Sequence, residues 1–110
     1  NLILDSTDRS LIISTMQKME RLIAVNNVQC VHFRPRNSSD QYYITIENDF
    51  FSGCSSYVIQ ICSDFLTLDI IVSIGWTISE YIVTLASPWC MVEGIIMHEL
   101  LHTLGNHFDY

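Results

Sequence analysis

His98, Glu99 and His102 carry the chemistry most plainly written in this chain: with Gly105 they read His-Glu-x-x-His-x-x-Gly. On an α-helix, residues four apart lie on one face, so His98 and His102 can offer two imidazole nitrogens to one tetrahedral ion. Zinc is the ion whose ligand preference and geometry fit. Glu99 follows the first histidine directly, close enough to take a proton from metal-activated water and turned too far to ligate from the same turn. Gly105, lacking a Cβ, can adopt the left-handed conformation that stops the helix and turns the chain back toward the metal. The blander reading is two histidines on a solvated helix face. The flanks weigh against it: Gly94, Ile95, Ile96 and Met97 give an apolar approach, and Leu100 and Leu101 fill the open positions, so the helix can pack into a core while the histidines face a cleft.

The string from Gly94 to Gly105 resembles the active-site helix of the astacin family of zinc endopeptidases, a branch of the metzincins. Upstream, 8–22 is similar to that family's first long helix, and Cys30-Val31-His32-Phe33-Arg34-Pro35-Arg36 to the strand after it. Ser52-Gly53-Cys54-Ser55-Ser56-Tyr57-Val58 is similar to its next cysteine segment. The resemblance implies an α+β fold: a zincin-like upper subdomain with an N-terminal helix, a small mostly mixed sheet and the active-site helix. It implies Zn2+ as cofactor, peptide or protein substrates, hydrolysis of internal peptide bonds with Glu99 as the catalytic general base, and secretion to the extracellular space. It also pairs Cys54 with Cys90 in a disulfide, while the family's partner for Cys30 has no counterpart here. Cys30 and Cys62 could then pair with each other or stay as two buried thiols. In the family an upper-half strand aligns substrate as an added antiparallel strand, and here that edge should be 84–87.

Two departures qualify the match. The metzincin pattern places its third histidine six residues after the second, where this chain has Phe108; His107 stands one residue early as the displaced candidate for the third ligand, with Asp109 beside it. The second departure is 62–83, an atypical insertion rich in Ile70, Ile71, Val72, Ile74 and Trp76 without a clean helical or strand period. Asp69 and Glu80 bound a charge-free run of ten residues, 70–79, short of the ~20 needed to span a bilayer. A buried strand pair and a gene-model artefact are both open for it, and 106–110 shares the second reading. Residues 1–110 are therefore expected to be a partial peptidase domain, the family's N-terminal half. The function expected of the family is zinc metalloendopeptidase; the alternative, from a different class, is a non-catalytic secreted fragment or pseudoenzyme that binds metal or a partner without turnover.

The elements that must position this chemistry follow from the pattern. Ser6 or Thr7 can cap a helix reaching about Val25, with Ile12, Met16, Met19 and Ile23 on one stripe. Strands are expected over 28–34, 42–47, 57–61 and 84–87, and the zinc helix from near Val92. In 43–47, Ile44 and Ile46 share one face while Tyr43, Thr45 and Glu47 share the other, as in a sheet with helices on one side. His32 and Trp89 read as structural rather than ligating. Asn37-Ser38-Ser39 is a glycosylation acceptor sequence in a polar stretch. The net charge of -7 over 110 residues argues against nucleic acid and against an anionic membrane surface.

Overall fold

The computed structural model describes residues 4–24, 31–40, 43–49, 53–56, 68–74 and 81–103, with the backbone alone at 68–70 and 81. The expected strand at 57–61, Gly105, His107, Asp109 and the partners of Cys30 and Cys62 lie outside the described residues.

Helix α1 (Ser6–Leu22) is capped by Asp5 rather than by Ser6 or Thr7. Asp5 has an extended backbone, and its carboxylate accepts from the Asp8 amide at 2.8 Å, satisfying one of the donors that every helix start leaves unpaired. The helix ends at Leu22, short of Val25, where the Ile23 amide closes the last turn on the Met19 carbonyl. Ile12, Met16 and Met19 are buried, at the spacing the sequence predicts. Thr15 shares the buried face because its hydroxyl donates to the Leu11 carbonyl at 2.7 Å.

Among the described residues one mixed sheet contains β1 (Val31–Pro35), β2 (Ile44–Glu47), β3 (Cys54–Ser55), β4 (Leu68–Ile74) and β5 (Tyr81–Leu85), in the order β1-β4-β2-β5-β3. The first four in that order run parallel, and β3 is antiparallel to β5. Part of the apolar stretch 62–83 thus occupies a central position, with β4 between β1 and β2. At the β1 edge, Glu20 of α1 accepts the Phe33 amide at 2.7 Å, covering a backbone donor that an edge strand exposes. After β1 the chain turns through Asn37, and Arg34 grips Asp40 through two nitrogens at 3.1 and 2.9 Å. The hydrogen bond from Arg34 and that from the Asn37 amide hold the Asp40 carboxyl below its ordinary pKa.

Register places Val31, Phe33, Val72, Ile74, Ile44, Ile46, Val83 and Leu85 on one face, where they join the α1 stripe and Ile96 and Leu100 of helix α2 (Glu93–Thr103) in one core cluster. Both helices therefore pack on the same side of the sheet. The opposite face carries Arg34, Ser73, Thr45, Glu47 and Thr84, which explains the alternation legible in 43–47. Glu47 is held above its ordinary pKa by burial and then by the nearby Asp49 charge. Thr45 is 0% exposed, and its hydroxyl has no hydrogen-bond partner among the described residues. An unpartnered buried hydroxyl forfeits its hydration without compensation, so Thr45→Val is expected to raise stability by about 1 kcal/mol. Urea unfolding checks this: the midpoint should rise with the slope unchanged, and a lower midpoint would show that the hydroxyl is bonded in solution.

The strand expected at 84–87 begins earlier and ends earlier, as β5, with Ala86 and Ser87 already in the turn that leads to Cys90. Its proposed role as a substrate-aligning edge is overturned. β5 is flanked by β2 on one side and β3 on the other: Thr84 and Leu85 pair with β3, and the Ala86 and Ser87 amides donate to the Gly53 carbonyl and the Asn48 side chain. Among the described residues the edge belongs to β3. Trp89 lies in the turn 87–90 and is 62% exposed.

Candidate metal centre

Helix α2 starts where the Ile95 and Ile96 amides first bond to the Val92 carbonyl, close to the sequence expectation. Ile96, Leu100 and Thr103, at spacings of four and three, are fully buried and fix the rotation of the helix about its axis. Lys18 of α1 meets Glu93 at 2.6 Å, a half-exposed ion pair that adds little to a junction held by core packing. With that rotation set, His98 and His102 stand half-buried beside each other while Glu99 faces inward at 8% exposure.

The two histidines converge. Their Nε2 atoms are 2.9 Å apart and their rings are nearly perpendicular at 87°. Two imidazoles on one tetrahedral zinc, each about 2.0 to 2.1 Å from the metal, place their nitrogens roughly 3.3 Å apart, so a spread of about 0.4 Å would admit the ion. The pair fits a metal in donor type, in atom and in separation. Among the described residues no third histidine, cysteine or carboxylate joins them. His107, the sequence's candidate, lies outside the described residues.

The Glu99 carboxylate accepts a hydrogen bond from the Ser56 hydroxyl at 3.0 Å. Ser56 follows β3, and the Cys54–Cys90 disulfide ties β3 to the segment leading into α2. Gly53, just before this bridge, has φ of 65°, a left-handed conformation that favours glycine although a Cβ there would meet nothing. The Gly53 carbonyl accepts from Ala86, and the Asn48 side chain accepts from the Ser87 amide, so short links knit the strand ends beneath the helix. The sequence does not reveal the Ser56 to Glu99 contact; the one available signal is that Ser56 lies two places after a cysteine paired to the helix approach.

The other candidate residues are elsewhere. His32 is half-buried on β1, across the sheet from β3. Asn37 is exposed in its turn, where its side-chain oxygen accepts from both the amide and the hydroxyl of Ser39. A cavity of about 560 Å³ opens between α1 and the ends of β1 and β4, lined by Met16, Phe33, Arg36 and Val72 among others. It includes no residue of α2 and is separate from the histidine pair.

The chain is 32% identical to zinc metalloproteinase nas-3 of Caenorhabditis elegans and 33% identical to zinc metalloproteinase nas-2 of the same organism, in each case over 96% of this chain and 33% of the relative. It is 30% identical to the low choriolytic enzyme of Oryzias latipes over 74% of this chain and 23% of that enzyme. The chain thus spans about a third of the length of the first two relatives. No protein-family model matches it, and no solved structure matches it. The relatives are proteinases of the kind that the His98 to Gly105 motif resembles, and their similarity runs through almost the whole chain rather than through the motif alone: the chain belongs to the astacin family of zinc metalloproteinases.

Proposed function

We propose that this chain forms the zinc-binding side of a metalloendopeptidase active site that hydrolyses internal peptide bonds. His98 and His102 are the metal ligands, Glu99 is the general base, and His107 is the candidate third ligand. The observation that carries the reading is the convergence of two Nε2 atoms at 2.9 Å on one helix face, beside a carboxylate that accepts from the Ser56 hydroxyl.

A bound zinc ion supplies Lewis acidity and charge stabilisation. The remaining work falls to the chain. Ligation needs both Nε2 lone pairs, so each imidazole binds as the tautomer that carries its proton on Nδ1. Glu99 has one carboxylate oxygen on Ser56; the other takes a proton from the attacking water and passes it to the amine nitrogen of the leaving peptide. Packing of Ile96 and Leu100 keeps the helix from turning that oxygen away. An extended peptide or protein substrate would lie along β3, which ends the sheet beside α2. The Cys54–Cys90 bridge and the exposed Asn37 acceptor sequence support an extracellular location.

Metal analysis of the purified chain tests the ligand assignment. His102→Ala is expected to lower zinc affinity by more than the roughly 10- to 100-fold that follows loss of a group that merely orients a ligand. Full zinc stoichiometry in the variant would remove α2 from the site.

A further inference from the structure

We propose that Ser56 is a positioning residue for Glu99, and that the Cys54–Cys90 disulfide is the device that delivers it. The inference rests on Glu99 as general base but is carried by separate observations. Glu99 has three rotatable side-chain bonds, so more than one rotamer can carry its carboxylate from the same helix position. The Ser56 hydroxyl, 3.0 Å from Oε1, restricts that freedom by donating a hydrogen bond to the carboxylate. Oε2 is then held to one orientation.

Ser56 cannot reach this place by local structure. It is 43 residues from Glu99 in the sequence and follows a strand of two residues, Cys54 and Ser55, paired only to β5 among the described residues. Such a short edge strand has little pairing of its own to hold it. The bridge to Cys90, which is fully buried, fixes the strand to the approach of the same helix that carries Glu99 nine residues later. Hydroxyl and carboxylate are thereby placed from two ends of one covalent loop.

The test is made on the 110-residue chain, with glutamate carrying carbon-13 and Glu99 assigned by its loss in Glu99→Gln. Side-chain three-bond couplings report whether Glu99 holds one rotamer. A single rotamer is expected in the parent, averaged couplings in Ser56→Ala, and restored single-rotamer couplings in Ser56→Thr, whose hydroxyl can take the same place. Zinc binding is measured alongside and is expected to be unchanged in all three. In the zinc-loaded protein extended to its relatives' length, Ser56→Ala is expected to lower kcat by roughly 10- to 100-fold with KM unchanged, the scale set by misplacing a reacting group by about 1 Å. Unchanged couplings in Ser56→Ala would overturn the proposal, as would failure of Ser56→Thr to restore them in a folded chain. Loss of the histidine pair as a zinc site would instead strike at the function above, leaving the coupling result standing.

Discussion

Replacing Glu99 by Gln is expected to lower peptide hydrolysis by about 10²- to 10⁴-fold while zinc stays bound, the range over which a positioned proton acceptor contributes. The substitution keeps volume and shape. Its amide oxygen can still accept from Ser56, so the buried face of α2 and the contact to β3 should survive. What disappears is basicity at the second oxygen. A fluorogenic peptide assay, run with and without chelator on the chain alone and on a polypeptide extended to the relatives' length, separates the outcomes. Chelator-sensitive turnover that persists in Glu99→Gln would place the proton acceptor elsewhere. An extended chain that binds zinc at His98 and His102 yet never turns over would favour the non-catalytic reading.

The parts of this site that the sequence discloses are those whose partners are near in the chain. His98 and His102 are one helical turn apart, so their type and spacing already state what the 2.9 Å approach displays. The α1 stripe is legible for the same reason. Strand β4 is not. Val72 and Ile74 face the helices and Ser73 faces away, but Ile71 is apolar on the far face as well, which breaks the alternation by which a half-buried strand is recognised. The parallel sheet compounds the difficulty, because every parallel neighbour is brought in from a distant part of the chain. Misassigning β5 as the open edge has that origin: 84–87 carries no mark that the two-residue strand at Cys54 will pair alongside it. Pairing of Cys54 with Cys90 is legible only through the family resemblance, since four cysteines by themselves allow three connectivities. Ser56 is invisible for the plainest reason, a contact made across 43 residues.

Removing the Cys54–Cys90 bridge, as Cys54→Ala with Cys90→Ala, is expected to lower stability by about 3 to 4 kcal/mol, the chain-entropy value for a closed loop of this size. The sequence separation is 36, and the loop contains β4 and β5, two of the strands at the centre of the sheet. Freeing it enlarges the unfolded ensemble. The folded state loses something as well, because Cys90 is fully buried in the core cluster and β3 keeps, among the described residues, its Cys54 to Leu85 and Ser55 to Thr84 pairings alone. Alanine is chosen so that no unpaired hydroxyl is buried at position 90 and the measured change reports the bridge and a small void. Urea unfolding of parent and double variant gives the difference, and a loss below about 1 kcal/mol would show that the loop is held without it. The sign is opposite to that expected for Thr45→Val on the far face of the same sheet, so the two together distinguish loss of the tether from a general sensitivity of the sheet to substitution. The double variant also bears on Glu99: with β3 untied, the Ser56 hydroxyl should no longer hold the carboxylate, and the side-chain couplings of Glu99 should average in a chain that is still folded.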